Sequence, residues 1–141
     1  MARSRLYHLL QLAAQRARKH ADEAGIAAAG VSAAQGGAMF VIAGAPGVSQ
    51  RELARSLGQQ ESAVTTMVAR LMAAGFVDRA PHAGEVRSWS LTLTDKGAQA
   101  LEHLRLELEE INRRFEAVLG ADELDLLADA LDRLARIRWT G

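Results

Sequence analysis

The side chains that could carry out catalysis or bind a metal are scattered along this sequence. Its four histidines form no HExxH pattern and no pair of ligands one helical turn apart, and the chain has no cysteine. The lack of cysteine excludes a thiolate nucleophile, a Cys-ligated zinc and a thiol redox switch, and it fits a reducing compartment. We therefore expect no catalytic residues, no metal and no cofactor, and predict that the protein is not an enzyme.

A metal site is nevertheless one alternative. His8 and His103 lie in predicted helices, and across a dimer they could join Glu102 or Glu107 as ligands, although ordinary, partly exposed histidines fit these positions as well. A metal-dependent or hydrolytic enzyme is therefore kept as a rival hypothesis. It is disfavoured because the sequence has no set of ligands or nucleophiles at a recognisable spacing.

Another group of polar side chains has the types and spacing that can read DNA. They are Gln60, Ser62, Thr65 and Thr66. They fall early in one predicted helix, on the face away from Val64 and Val68. Glutamine can bridge N6 and N7 of adenine, and serine and threonine can bond bases or phosphates. Taken alone, the pattern fits the polar face of an ordinary surface helix equally well.

Arginines around this helix are candidates for contacts with the DNA backbone. Arg51, Arg70 and Arg79 are predicted to hold phosphates. Arg87 lies in a loop between two predicted strands, from which a guanidinium could enter the negative potential of a minor groove. The alternative for Arg87 is an exposed charge on an ordinary β-turn.

The first two helices follow from periodicity and capping signals. Apolar residues at helical spacing predict an amphipathic helix over about residues 3–23, which Gly25 and Gly30 then break. Ser32 with Gln35 forms a capping box for a second helix that reaches about residue 43. The pair of glycines at 36–37 within it should allow close packing of another backbone.

The next two helices form a helix-turn-helix unit. Ser49 with Glu52 predicts a second capping box, at the start of a short helix that ends before Gly58. Another helix is predicted over residues 61–74, with Gly75 as its stop. Two helices joined by a short turn with glycine are typical of this motif, whose second helix enters the major groove.

A β-hairpin and two long helices complete the pattern. Residues 76–80 predict one strand, and residues 81–87 predict a loop. The second strand is predicted by the alternation of Trp89, Leu91 and Leu93 with polar residues. Thr94 can cap a long helix whose apolar residues repeat at heptad spacing, and a final helix continues the rhythm. The repeats are Leu101, Leu104, Leu108, Ile111, Phe115 and Val118, then Leu124, Leu127, Leu131 and Leu134. Such a seam predicts a partner helix.

Charge is distributed unevenly along the 141 residues, although 17 basic and 17 acidic residues cancel. Residues 1–20 carry five basic groups and no acids, whereas residues 97–141 carry ten acids and six bases. Aromatic residues make up only 4%, which argues against a single-strand binder that stacks bases. Residues 24–50 are uncharged but weakly apolar, which favours a helix hairpin over a membrane span. We expect a cytoplasmic protein without membrane contact.

The segment from residue 48 to residue 97 resembles a known family. It reads VSQRELARSLGQQESAVTTMVARLMAAGFVDRAPHAGEVRSWSLTLTDKG and is similar to the winged helix-turn-helix of the MarR family of bacterial transcriptional regulators, with Leu93, Thr94 and Gly97 in register. The resemblance implies a mainly α fold with a small β-hairpin wing, and a winged helix-turn-helix flanked by N- and C-terminal dimerisation helices. Residues 1–141 would form a single domain, in which 1–31 and 98–141 dimerise and 32–97 form the winged lobe.

The family's activity implies the function that we expect. The chain would be a homodimeric, sequence-specific transcriptional regulator, a repressor, that binds a pseudo-palindromic operator in double-stranded promoter DNA. A small aromatic or phenolic effector could release it. The candidate pocket residues are Tyr7, His8, Met39 and Phe40. The alternative is a winged-helix protein-interaction module with little DNA affinity.

The surface predicted to face DNA departs from the family pattern. The wing reads Glu85-Val86-Arg87 where relatives often have Asp-Arg-Arg, so one positive charge is lost. Four further positions lack the Arg or Asp that relatives often carry. They are Thr66, Ala69, Ala80 and His82. Because phosphate neutralisation sets salt dependence, we expect a shallow salt slope.

Overall fold

The computed structural model describes residues 2–81 and 89–140. In this part of the chain a short 3-10 turn precedes six α helices and three β strands. The helices are α1 (Leu6–Ala29), α2 (Ala33–Gly44), α3 (Gln50–Leu57), α4 (Glu61–Ala73), α5 (Asp95–Leu119) and α6 (Ala121–Ala135). The strands are β1 (Val48–Ser49), β2 (Val77–Pro81) and β3 (Trp89–Leu93). The predicted mainly α fold with a β-hairpin is confirmed.

Helix α1 is longer than its predicted range, and the predicted break at Gly25 is wrong. Gly25 is buried inside the helix, where a Cβ would lie 2.5 Å from the carbonyl oxygen of Val31 and 2.9 Å from a methyl of Leu104. The glycine therefore serves close packing. The helix ends at Gly30, whose φ of +69° gives the left-handed conformation that favours glycine.

Helix α2 begins with the predicted capping box. Ser32 Oγ accepts a hydrogen bond from the Gln35 backbone N–H at 3.2 Å, and Gln35 Oε1 accepts one from the Ser32 N–H at 3.0 Å. The expected role of the two following glycines needs correction. Gly36 packs against the Leu104 side chain rather than against a backbone, and a Cβ on Gly37 would have nothing within 4 Å.

The helix-turn-helix forms as predicted, within one residue at its ends. Ser49 Oγ accepts from the Glu52 N–H at 3.1 Å and caps α3, although the predicted return bond from the Glu52 side chain is not among the bonds of the described residues. Gly58, with φ +63°, ends α3, and α4 follows after two residues. Gly75, with φ +80°, lies just beyond α4.

The sheet has three antiparallel strands in the order β1-β3-β2 within the described part of the chain. Val77 pairs with Leu93 and Pro81 with Trp89, so the first strand of the hairpin is shifted by one residue from its predicted range. Strand β1, where Val48 pairs with Leu91, was not predicted. Two residues are too few to show the alternation that identifies a strand.

The hydrophobic core lies where the helix-turn-helix, the sheet and the start of α5 meet. Its fully buried side chains include Val31, Met39, Ile42, Leu53, Val64, Val68, Leu71, Leu91 and Leu104. Leu101 packs against the same core. The first two positions of the predicted heptad seam thus serve the chain's own core, which corrects the interpretation of the whole seam as an interface.

A joint connects the end of α4, the start of β2 and the start of α5. Thr94 Oγ1 donates to the Gly75 carbonyl at 2.6 Å and accepts from the Gly97 N–H at 3.0 Å, which confirms Thr94 as a helix cap. The Thr94 N–H donates to the Phe76 carbonyl at 3.0 Å. Gly97 is buried directly against that carbonyl, which leaves no space for a Cβ. We call these four residues the α4–α5 joint.

The chain divides into two compact units, one up to Glu107 and the other from Leu108. The second unit comprises the rest of α5 and helix α6, with Gly120 at φ +82° between them. Among residues 2–81 and 89–140, no single helix is long and apolar enough to span a membrane. Only the pair of segments Arg3–Ala29 and Ala33–Gly44, bent by 70°, passes that test together.

Gly97→Ala is expected to destabilise the protein, because the new Cβ would overlap the carbonyl oxygen of Phe76. We expect the free energy of unfolding to fall by about 1–3 kcal/mol. Gly37→Ala is the matched control, and its higher helix propensity should raise stability by up to about 1 kcal/mol. Urea unfolding at one protein concentration measures both. Equal stability of Gly97→Ala and the unsubstituted chain would contradict the tight joint.

Candidate nucleic-acid interface

Helix α4 has one buried apolar face and one exposed polar face. Val64, Val68 and Leu71 are fully buried in the core. The predicted base-reading residues Ser62, Thr65 and Thr66 are all exposed, and Gln60 is the exposed N-cap residue, whose side chain makes no capping bond. The structure therefore brings these four candidates together over the first two turns of one helix.

Hydrogen bonds within α4 limit what its two threonines can offer to a ligand. Thr65 Oγ1 donates to the Glu61 carbonyl at 2.9 Å, and Thr66 Oγ1 donates to the Ser62 carbonyl at 3.3 Å. Thr65 Oγ1 also accepts from Gln50 Nε2 at 3.3 Å. A hydroxyl has one donor and two acceptor sites, so Thr65 retains one acceptor site and its methyl group.

Two side-chain contacts between the starts of α3 and α4 were missed by the sequence analysis. Gln50 contacts Thr65 as described, and Arg51 Nε donates to Glu61 Oε1 at 3.0 Å. Arg51 is therefore exposed as expected but is held in an ion pair with an acid of α4. Ten residues separate this pair, so no helical spacing signals it; only the shared motif, which brings two helix starts together, could have suggested it.

The other two arginines predicted to hold phosphates occupy different elements. Arg70 lies exposed in the last turn of α4, and Arg79 lies exposed on β2. The guanidinium of Arg79 stacks on the Trp89 ring, with its Cζ 4.3 Å from the ring centroid. Because such stacking attracts a cation to the ring face, Trp89, in the last pair of β2 and β3 before their connection, holds Arg79 in place.

Arg87 and its neighbours Glu85 and Val86 lie outside the described residues, as does His82. The minor-groove role of Arg87 therefore stays a prediction. Ala80, one of the positions where relatives often carry charge, is exposed on β2, and Ala69 is exposed on α4.

The structure places the four candidate pocket residues in different environments. Met39 is fully buried in the core, Phe40 and Tyr7 are mostly exposed, and His8 is exposed on the first turn of α1. An open cleft of about 230 Å³ lies elsewhere, between the end of α1 and the start of α5. Its lining residues are Ala28, Ala29, Phe76, Lys96, Gln99, Ala100 and His103. None of the four candidates lines this cleft.

The residues considered for a metal site do not gather in the described part of the chain. There, no group of three or more His, Asp or Glu side chains is close enough to hold a metal ion. Glu102 is instead engaged by Arg105, whose Nη2 donates to its carboxylate at 2.6 Å. This hydrogen bond lowers the pKa of Glu102 below its ordinary value.

Comparison with known proteins places this geometry in a family. A family model described as MarR family matches residues 29–88. The HTH-type transcriptional regulator BilQ of Clostridium symbiosum is 31% identical over 93 residues, which cover 66% of this chain and 65% of BilQ. These matches support a MarR-family winged-helix regulator. The resemblance predicted from the sequence is thereby confirmed.

Solved structures agree with this assignment over nearly the whole chain. The chain is similar to a mutant MarR from E. coli complexed with operator DNA, with a TM-score of 0.82, 25% identity and 92% of both chains covered. It is similar also to the transcriptional repressor CouR bound to a 23-mer DNA duplex, with a TM-score of 0.77, 28% identity, 94% of this chain and 96% of CouR covered. By contrast, the match spans just under two thirds of the length of its sequence relatives.

Thr65→Val tests whether the remaining acceptor site of Thr65 contacts a base. It removes the remaining acceptor site and keeps a methyl group, so we expect DNA binding to change its preference at one base pair per half-site by about fivefold or more. Competition binding with duplexes that differ at single positions measures this. Thr92→Val, an exposed threonine on β3, is the control. Equal weakening on every sequence would instead indicate that Thr65 contacts the DNA backbone.

Proposed function

We propose that this MarR-family chain is a homodimeric, sequence-specific DNA-binding transcriptional regulator that acts as a repressor. The observation that carries the proposal is the α4 surface: a helix fixed in the core along one side presents four uncharged polar side chains along the other, beside exposed arginines. The DNA complexes of MarR and CouR, at 25% and 28% identity, support the same use of this fold.

In the proposed complex, α4 enters the major groove while α3 crosses the backbone. Gln60, Ser62, Thr65 and Thr66 would then face base edges. Arg51, Arg70 and Arg79 would contact phosphates, and Arg87 would enter the adjacent minor groove. Two subunits would read the half-sites of a pseudo-palindromic operator in promoter DNA, with centres about 10 base pairs or a multiple apart.

Arg79→Gln tests the phosphate contacts. We expect weaker binding on every duplex and a fall of about one in the slope of log K against log salt. Arg105→Gln removes the same charge from α5, outside the proposed interface, and is the control. Fluorescence anisotropy with genomic or random duplexes, beginning at low salt, measures both.

The anisotropy experiment also separates the rival functions. A complete absence of DNA binding by the unsubstituted chain at low salt would contradict the proposal and favour the winged-helix protein-interaction module. An unchanged salt slope in Arg79→Gln would contradict the assignment of Arg79 alone.

The dimer is proposed from apolar side chains exposed in the single chain. Near the N-terminus, Leu6 and Tyr7 are 59% and 73% exposed. The second compact unit exposes a larger set. Its members include Phe115, Val118, Leu126, Leu127, Leu131, Leu134, Ile137 and Trp139. Large exposed apolar surfaces typically mark interaction sites, and we assign this one to a second copy of the chain through residues 1–31 and 98–141.

Leu131→Asp is expected to weaken the dimer, because it places a charge within the proposed seam. The dimer dissociation constant should rise at least about tenfold, since an unpaired charge is costly to bury. Ala128→Asp is the control on α6, because residue 128 is exposed and lies off the 124-127-131-134 repeat. Analytical ultracentrifugation measures both. A monomeric unsubstituted chain, or equal effects of both variants, would contradict the seam.

Release by a small aromatic or phenolic effector stays a prediction. Such release requires the ligand to bind one conformation of the dimer more tightly than the other. Because Met39 is a core residue, a pocket built on all four candidates would need the core to open. Tyr7, His8 and Phe40, which are exposed, are the better candidates for direct contact.

A further inference from the structure

Glu61 is an acidic side chain at the leading end of a helix that is proposed to approach DNA. It is the first residue of α4, and its side chain is 57% exposed. A carboxylate facing a phosphate backbone is repelled, so its presence there needs a physical reason. The proposed function does not supply one, because its contacts come from uncharged residues and arginines.

The ion pair with Arg51 changes what Glu61 can do. Arg51 Nε occupies one carboxylate oxygen, Oε1, at 3.0 Å. Among the described residues the second oxygen, Oε2, has no hydrogen-bond partner, and the terminal nitrogens of Arg51 have none either. The pair is locally neutral, so its approach to DNA is not opposed by a net negative charge. It still presents an acceptor on one side and donors on the other.

The acceptor side of this pair selects among base edges. A carboxylate oxygen accepts hydrogen bonds only, and the amino donors in the major groove are N4 of cytosine and N6 of adenine. In adenine the N6 donor stands beside the acceptor N7, which repels a carboxylate. Guanine presents two acceptors, and thymine presents an acceptor and a methyl group. Cytosine is therefore the base that fits Glu61.

We propose that Glu61 reads a cytosine in each half-site, and that Arg51 is a positioning residue that holds the carboxylate while its terminal nitrogens contact a phosphate. This inference rests on the proposed DNA-binding function and adds a base preference to it. It also assigns Arg51 a second role, because its phosphate contact and its hold on Glu61 use different nitrogens of one guanidinium.

The test is selection of bound sequences from a pool of random duplexes, followed by binding measurements on the enriched motif. The unsubstituted chain is expected to enrich a cytosine at one position of each half-site. Glu61→Gln should lower the preference for cytosine at that position about fivefold or more and leave the other positions unchanged. Glu23→Gln, on α1, removes the same charge and should leave the motif unchanged.

Arg51→Met tests whether Arg51 positions the Glu61 carboxylate or only contributes a positive charge toward the DNA backbone. We expect it to weaken binding on all duplexes, through the lost phosphate contact, and also to reduce the cytosine preference. Arg55→Met, the neighbouring exposed arginine of α3, is the control, and it should leave the cytosine preference intact. Because Glu61 and Arg51 are both exposed, each variant is expected to fold. Circular dichroism and thermal unfolding verify this.

The outcomes distinguish this inference from the proposed function. If Glu61→Gln binds every duplex more tightly with an unchanged motif, Glu61 only repels the backbone and the inference is overturned while the function stands. If Arg51→Met leaves the cytosine preference unchanged, the positioning role of Arg51 is overturned while the proposed function stands. If the unsubstituted chain enriches no motif, both are overturned.

Discussion

The α4–α5 joint ties the end of α4, the helix proposed to read DNA, to the start of α5. One hydroxyl, that of Thr94, bonds both the carbonyl that follows α4 and the N–H in the first turn of α5. Gly97 allows the two backbones to approach closely enough for these bonds to form. Since α4 is short, a shift at this end would move its polar face. The joint therefore links the start of a proposed dimerisation helix directly to the end of the helix proposed to read DNA.

Several hydrogen-bonding groups on the polar face of α4 already have partners within the protein. The two threonine hydroxyls donate to their own helix, Gln50 fills one acceptor site of Thr65, and Glu61 is neutralised by Arg51. The surface therefore offers acceptors and methyl groups more than positive charge. Such a surface discriminates between base edges but gains little from phosphate neutralisation, consistent with the balanced charge of the whole chain.

Local signals account for the parts of the fold that the sequence could predict. The Ser32 and Ser49 caps and the glycine stops at 58 and 75 act over a few residues, so their positions followed from spacing alone. Gly25 was misread because its partners, Val31 and Leu104, are brought together by tertiary packing. A glycine with a positive φ and a glycine in a tight interface look the same in a sequence.

In the candidate site, too, local features were predictable from the sequence and contacts between separate elements were not. The face of α4 follows from helical periodicity, so its four polar residues could be grouped in advance. The Arg51–Glu61 pair and the Arg79–Trp89 stack join separate elements, and no periodicity specifies such contacts. The pocket prediction was weakest because helical spacing cannot distinguish a core residue such as Met39 from a residue that lines a cavity.

The central claim is that two copies of α4 read one face of a DNA duplex. Hydroxyl-radical footprinting of the unsubstituted protein, on a duplex enriched from a random pool at low salt, tests it most directly. We predict two protected regions whose centres lie about 10 base pairs or a multiple apart, at a stoichiometry of one dimer per duplex. A single protected region bound by one chain, or no protection at all, would contradict the account.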